Sequence, residues 1–213
     1  MAKGAGMIGP NMATMLCCVV TDAPLQPEQA QRLLKYAADK SFNNISVEGH
    51  TSTNDTMILL ANGQAGGDVL NAADEAVFCE HLVAMCIELA KQIPADGEGA
   101  THLIEIRVTG AASDDDARKI SHSIACSNLV KCAVLGGDPN WGRIVSAAGY
   151  AGVSIDPKQI GLKVNSIELF AAGEPVAFDA KVASASIKGS FGHVDRTGRL
   201  GRAVVVALTG PAI

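Results

Sequence analysis

The first two dozen residues constrain the chain most, because they place one hydroxyl side chain between a flexible loop and an apolar strand. A glycine-rich run at 3–10 (KGAGMIGP) leads toward Thr14, and the apolar run MLCCVV follows at 15–20. That run predicts a buried strand, and the glycines predict tight bends with positive φ. Thr14 at this junction is a candidate nucleophile; an ordinary threonine at the start of a strand is the alternative.

Composition limits the class of protein. The 213 residues are 48% hydrophobic and 18% charged, with a formal net charge of −5. This length supports a sizeable core, and the acidic balance disfavours nucleic acid as a partner. The low charge predicts that another chain covers part of the apolar surface. No apolar run reaches the roughly 20 residues of a membrane span, and no signal peptide is visible, so we expect a cytoplasmic protein.

The cysteines predict no redox or metal chemistry. None has the CxxC spacing of a zinc or redox motif, and most lie in apolar runs, where cysteine behaves as a small hydrophobe. We expect reduced core residues and neither disulfides nor metal ligands. The six are Cys17, Cys18, Cys79, Cys86, Cys126 and Cys132.

Hydrophobic periodicity outlines the elements that follow. It predicts helices at 27–40, 72–93, 114–126 and 179–187, with a further helix ending at 148. Pro94 is expected to end the second helix, and Ser113 to cap the third. The predicted strands are 57–61, 103–108, 129–135, 160–164, 167–170 and 203–208.

Two acidic or polar stretches could serve either structure or chemistry. The segment 43–56 is densely polar, and its side chains could form a self-satisfied turn network or line a polar small-molecule site. Glu98 lies between two glycines. It could act as a base, bind a cationic substrate, or be an exposed turn residue. His81 and His102 are isolated among apolar neighbours, which favours structural or surface roles.

A third stretch, residues 136–144, has two interpretations as well. A glycine-rich turn before a helix could bind an anion at the helix N-terminus. The pattern favours instead a rigid corner in which Asp138, Asn140 and Arg143 satisfy backbone groups.

Four ordered blocks resemble one family. The stretch KGAGMI at 3–8 with PNMATML at 10–16 resembles the self-cleavage region of the ornithine acetyltransferases, the bifunctional enzymes of arginine biosynthesis. The family's order continues over about residues 2–180 with TSTNDT at 51–56, GEGAT at 97–101 and DPNWGRI at 138–144.

The resemblance implies a mechanism. A precursor cuts itself between Ala13 and Thr14, and Thr14 becomes the N-terminal nucleophile. Acetyl passes from N-acetylornithine to Thr14 and then to glutamate, with the freed α-amino group as general base. Lys3, Thr14 and Glu98 fall on substrate-contacting positions. No metal or cofactor is implied, and acetyl-CoA is an alternative co-substrate.

The resemblance also implies an αββα layered sandwich of the α+β class. Residues 1–13 would be the end of the α-chain region, and 14–213 a β-chain-like domain. From about residue 189 the C-terminus departs from the family pattern, and His50 stands where an acid is expected. The family implies an α chain of the same precursor as partner, in an α2β2 assembly.

Two alternatives to the transferase stay open. An autoprocessing amidase or aminopeptidase would use the same nucleophile with water as the acceptor. An inactive remnant or partner subunit would lack the α half.

Overall fold

A computed structural model describes residues 1–8, 15–50, 52–190 and 204–210. The chain divides into two compact units, Met1–Glu98 and Gly99–Ile213. Each unit combines a sheet with helices packed on it, an α+β organisation. The predicted division at residue 13 falls inside the stretch 9–14, outside the described residues. The predicted departure from about residue 189 lies largely in 191–203, also outside them. Both stay predictions.

In the first unit, the described strands form a sheet in the order β1-β2-β3. Strands β2 and β3 pair in parallel, with α1 in the connection between them. The elements are β1 (Ala2–Lys3), β2 (Leu16–Thr21), α1 (Pro27–Lys40), β3 (Thr56–Ala61) and α2 (Ala72–Ala95). A short 3-10 helix, Phe42–Asn44, follows α1.

Strand β2 is buried on one face only, so the prediction of a buried strand is wrong in this respect. Cys17 and Val19 pack into the core with side chains from α1 and α2. Leu16 and Val20 point the other way and are exposed, as are Ile58 and Leu60 of β3. Helices cover one face of the sheet, and the opposite face keeps an exposed apolar patch, which we call the open face (Leu16, Val20, Ile58 and Leu60).

Helices α1 and α2 are joined by a polar contact. Gln29 Nε2 donates to Glu75 Oε2 at 2.6 Å, and Arg32 donates to Glu75 Oε1 at 2.7 Å. These two hydrogen bonds, first from Gln29 and then from Arg32, lower the pKa of the Glu75 carboxyl. Helix α2 extends one residue past Pro94, so the expected stop at Pro94 is slightly wrong: proline's fixed φ is compatible with a helical residue.

In the second unit, the described strands form a sheet in the order β4-β8-β5-β6-β7. A short 3-10 helix, Pro157–Gln159, precedes β5. The elements are β4 (Ile104–Thr109), α3 (Asp114–Cys126), α4 (Asn128–Gly136), α5 (Trp141–Gly149), β5 (Gly161–Val164), β6 (Ile167–Ala171), β7 (Glu174–Pro175), α6 (Ala180–Lys188) and β8 (Val204–Thr209).

The predicted strand at 129–135 is wrong, because this stretch is helix α4. Ser127 caps it by accepting a hydrogen bond from Val130 N–H, and Gly137 ends it with φ 65°. The buried positions Val130, Ala133 and Val134 follow i, i+3, i+4 spacing. A short apolar run is compatible with either element, and here the two caps favour the helix.

The cysteines divide into buried and accessible thiols. Cys17 and Cys86 are buried, whereas Cys132 is exposed, and no disulfide joins the cysteines. Burial raises the pKa of Cys17, and it raises the pKa of Cys86 to about 11. The expectation of core residues therefore holds for Cys17 and Cys86 and is wrong for Cys132.

Leu162 lies in the core of the second unit and is 1% exposed. Leu162→Ala should lower the free energy of unfolding by about 2–5 kcal/mol, because apolar burial is lost and a cavity remains. Leu135→Ala is the matched control, because Leu135 is 64% exposed. Urea unfolding of Leu162→Ala and Leu135→Ala checks the difference. Equal stability of the two variants would contradict the core assigned here.

The rate at which each cysteine is alkylated should follow its exposure to solvent. Because the thiolate is the reactive form and Cys86 holds its proton to about pH 11, iodoacetamide at pH 8 should alkylate Cys132 well before Cys86. Peptide mass spectrometry of the folded protein measures the order, and labelling in urea, where the order should disappear, is the control. Faster labelling of Cys86 in the folded state would contradict its burial.

Candidate functional site

The predicted nucleophile and cleavage site, Ala13 and Thr14, lie outside the described residues. The chain on either side, ending at Ile8 and resuming at Met15, is described. Both flanking residues are buried, with 2% and 3% exposure. The polar segment 43–56 holds both of them, and these contacts define the candidate site.

The first flank is held by the loop around Glu48. Ile8 N–H donates to Glu48 Oε1 at 2.9 Å. Ile8 carbonyl oxygen accepts hydrogen bonds from Val47 N–H at 2.9 Å and Gly49 N–H at 3.3 Å. His50 Nδ1 lies 3.7 Å from Glu48 Oε1. Main-chain and side-chain contacts therefore fix the chain just before residue 9.

The second flank is held by Asp55. Met15 N–H donates to Asp55 Oδ1 at 2.6 Å, and Met15 carbonyl oxygen accepts from Thr56 N–H at 3.0 Å. Asp55 Oδ2 is buried and has no hydrogen-bond partner among the described residues. The loop thus contributes one carboxylate to each end of the stretch that contains the predicted scissile bond.

The glycine-rich lead-in lies beside the same two residues. Lys3 is exposed on β1 and pairs in antiparallel register with Leu16. A Cβ on Gly4 would come within 3.3 Å of the Ile8 side chain and 3.7 Å of Met15 Cα, so a small residue suits this position. Within 1–8, the positive φ expected of the glycines belongs instead to Met7, at 58°, a conformation costly for a residue with a Cβ.

Glu98 is exposed in the turn that follows α2. In the described part of the chain, no hydrogen bond or ion pair connects it to Lys3. Its position is that of an exposed turn acid, one of the interpretations left open by the sequence. The assignments of Lys3, Thr14 and Glu98 as site residues stay predictions.

The stretch 138–143 is a structural corner. Asn140 caps α5 by accepting a hydrogen bond from Arg143 N–H, and its amide donates to Asp138 Oδ2 at 3.1 Å. Arg143 Nη1 donates to Leu129 carbonyl oxygen at 3.2 Å. The expected contacts with backbone groups are confirmed for Asn140 and Arg143, whereas Asp138 contacts the side chain of Asn140.

The second unit has a cleft of about 480 Å³. Its lining includes Lys119, His122, Ser123, Cys126 and Tyr150. None of the predicted site residues lines it. Within the described ranges, no cluster of three or more His, Cys, Asp or Glu side chains could hold a metal ion. None of the described helices combines the length and apolar character needed to cross a membrane.

The sequence-based reasoning did not single out Glu48 or Asp55. It marked the segment around them as polar but could not say which backbone groups these carboxylates would meet. No local signal was present for Asp55, because its contact with the Met15 amide joins residues that lie 40 positions apart.

Comparison with known proteins gives a consistent result. The sequence model of the ArgJ family matches residues 1–207. The arginine biosynthesis bifunctional protein ArgJ of Rhodopirellula baltica is 49% identical over 191 residues, covering 88% of this chain and 47% of that protein. The protein of the same name from Symbiobacterium thermophilum is 50% identical over 186 residues, covering 86% and 46%.

A solved structure agrees in fold. The crystal structure of arginine biosynthesis bifunctional protein ArgJ from Bacillus halodurans matches with a TM-score of 0.84 at 38% identity, covering 92% of this chain and 88% of that one. The match defines a layered α+β protein of the same kind, so the predicted fold class is confirmed.

This chain belongs to the ArgJ family. The resemblance drawn from the four sequence blocks is thereby confirmed. The chain spans about half the length of the curated relatives that it matches.

Because residues 138–143 form a corner, Asn140→Ala should lower the free energy of unfolding by about 1 kcal/mol through loss of the α5 cap. Asn140→Ser, which keeps a capping oxygen and adds no negative charge beside Asp138 Oδ2, should stay close to the unchanged protein. Urea unfolding measures both. Equal stability of the alanine and serine variants would contradict the capping role.

Proposed function

We propose that this chain is the nucleophile-bearing part of an ornithine acetyltransferase. It moves acetyl from N-acetylornithine to glutamate through an acetyl-Thr14 intermediate, after self-cleavage between Ala13 and Thr14. Membership of the ArgJ family supports this function, as does the naming of relatives as bifunctional proteins of arginine biosynthesis.

The observation that carries the proposal is the double attachment around residues 9–14. Glu48 holds the amide of Ile8, and Asp55 holds that of Met15. Fixing both ends of a six-residue stretch limits the conformations of the backbone between them. Such restriction favours intramolecular attack by a hydroxyl on a neighbouring carbonyl, since less orientational freedom is lost on reaching the transition state.

Cleavage proceeds by an N-to-O acyl shift. Thr14 Oγ1 attacks the carbonyl carbon of Ala13, its proton passes to the Thr14 nitrogen, and the peptide C–N bond breaks. The resulting ester is hydrolysed by water, which leaves a carboxylate on Ala13 and a free hydroxyl and amino group on Thr14. The small side chain of Ala13 leaves room for the attack.

Acetyl transfer then uses both groups of Thr14. The amino group, with an ordinary pKa of roughly 8, takes the proton from Oγ1 as the hydroxyl attacks the acetyl carbonyl of N-acetylornithine. That proton goes to the nitrogen of departing ornithine. Glutamate attacks the acetyl ester in turn and leaves as N-acetylglutamate. Such an exchange is ping-pong.

The other assigned residues bind substrate in this proposal. Lys3, exposed on β1 beside the start of β2, suits a substrate carboxylate. Glu98, exposed in its turn, suits the amines of ornithine. The reaction needs no resident metal or cofactor, with acetyl-CoA as an alternative acetyl donor, and we assign it to the cytoplasm.

A partner chain is part of the proposal. The open face presents four large exposed apolar side chains on adjacent strands, and contiguous apolar surface of this kind marks an interaction site. The chain also matches only about half of the length of its relatives. An α chain from the same precursor would supply the covering layer, in an α2β2 assembly.

Replacement of Thr14 tests the function. The chain is co-expressed with the upstream half of the Rhodopirellula baltica relative, and its intact mass and its conversion of N-acetylornithine and glutamate are measured. The unchanged chain should lose residues 1–13 and form N-acetylglutamate. Thr14→Ala should stay uncut and lose at least about a thousand-fold in rate, whereas Thr14→Ser, which keeps a hydroxyl, should be cut and retain transfer.

Three outcomes would contradict the proposal. One is active transfer by a chain that stays intact, and another is normal cleavage of Thr14→Ala. The third is release of acetate at the same rate with and without glutamate, which would identify an amidase that uses water as its acceptor.

A further inference from the structure

We propose that Asp55 is a positioning residue for Thr14. One carboxylate oxygen fixes the Met15 amide, and the other holds the amino group that cleavage frees on Thr14. The inference rests on the proposed function, because only cleavage before Thr14 creates that amino group.

The first oxygen, Oδ1, accepts a hydrogen bond from the backbone. Asp55 Oδ1 accepts a hydrogen bond from Met15 N–H at 2.6 Å, and a carboxylate is a strong acceptor for a backbone N–H. Met15 N is bonded directly to the carbonyl carbon of Thr14. The carboxylate is therefore anchored at the residue that follows the predicted nucleophile.

The second oxygen, Oδ2, is an acceptor with no hydrogen-bond donor among the described residues. Asp55 Oδ2 is buried, and no described residue hydrogen bonds to it. In the described part of the chain, no cation forms an ion pair with Asp55 either. A buried carboxylate oxygen without a partner is unfavourable, so an N–H donor would stabilise it.

Covalent connectivity brings such a donor close. The Thr14 nitrogen is three bonds from Met15 N, through the Thr14 Cα and carbonyl carbon. The two oxygens of one carboxylate can accept from two different N–H groups. With Oδ1 on Met15 N–H, Oδ2 is available to the neighbouring nitrogen, which becomes a primary amino group after cleavage.

The strand pairing keeps Asp55 in place. Asp55 directly precedes β3, and β3 pairs with β2 in a register that sets Thr56 opposite Leu16. Met15 and Asp55 are thus the residues just before two paired positions. The hydrogen bond from Thr56 N–H to the Met15 carbonyl oxygen continues the main-chain pairing to this point, and it brings the Asp55 side chain next to the Met15 amide.

In the reaction, Asp55 would orient the amino group of Thr14. The amino group must take the proton from the Thr14 hydroxyl and later return it to the leaving amine. Asp55 accepts hydrogen bonds and transfers no proton in this proposal. By holding one N–H of the amino group, it directs the nitrogen lone pair toward the hydroxyl, and misplacement of a catalytic group is costly in rate.

The test is Asp55→Asn in the co-expressed protein described above. Asparagine keeps an oxygen for the Met15 amide but replaces Oδ2 with an NH₂ group, which is a donor. We expect cleaved protein whose kcat for acetyl transfer is about 10- to 100-fold lower, with KM within about twofold. A purely structural anchor would retain kcat, because the Met15 contact survives.

Asp156→Asn is the matched control. Asp156 also gives one oxygen to a backbone amide, that of Lys158 at 3.0 Å, and it gives the other to Gln159 Nε2. It belongs to the second unit and is assigned no role in the reaction. Its kcat should stay within about twofold of the unchanged protein, which shows that an Asp-to-Asn change alone is tolerated.

The possible failures are distinguishable. An unchanged chain that is neither cut nor active contradicts the proposed function, and the role of Asp55 falls with it. An active, cleaved protein whose Asp55→Asn variant keeps its kcat contradicts the role of Asp55 alone.

A second measurement does not require the variant to fold. In a crystal structure of the cleaved unchanged protein, the Thr14 nitrogen should lie about 2.7–3.2 Å from Asp55 Oδ2. A separation beyond about 4 Å would overturn the proposal, since no direct hydrogen bond spans that distance.

Discussion

The parallel pairing of β2 with β3 is the constraint on which the candidate site depends. Its register places Leu16 opposite Thr56 and Cys17 opposite Met57. Cys17 and Val19 pack into the core on one face, and a slip of one residue would turn them toward solvent. The hydrophobic core therefore fixes, through this register, which carboxylate meets the amide of Met15.

Much of the fold follows from local signals in the sequence. Helix α1 begins at its proline, α3 begins after its Ser113 cap, and α6 begins after Asp179. In each case the residue type at the helix start and the apolar period indicate the same element. Helix α4 could not be predicted in this way, because the helix is only nine residues long and its apolar run fits a strand equally well. The feature that distinguishes a helix from a strand in this stretch is Gly137, which ends the helix in a left-handed conformation.

The site was predictable only in part. The residue types of the polar segment indicated turn contacts or a binding site, and the structure gives contacts with the backbone at Ile8 and Met15. These contacts join positions 40 residues apart. They depend on how α1 returns the chain to the sheet. No local sequence pattern shows which backbone amide a distant carboxylate will contact. The role of Asp55 is therefore identified only in the folded structure, whereas Thr14 was indicated by its neighbours in the sequence.

The two anchors have a consequence for what a break in the chain would do. Ile8 and Met15 are held by separate groups, Glu48 and Asp55, and each also has main-chain hydrogen bonds of its own. A cut between them would remove a covalent link without removing either set of contacts. The two new termini would stay tethered within a few residues of the cut. Their effective concentration for each other would remain high, and the protein would change its connectivity while conserving its shape.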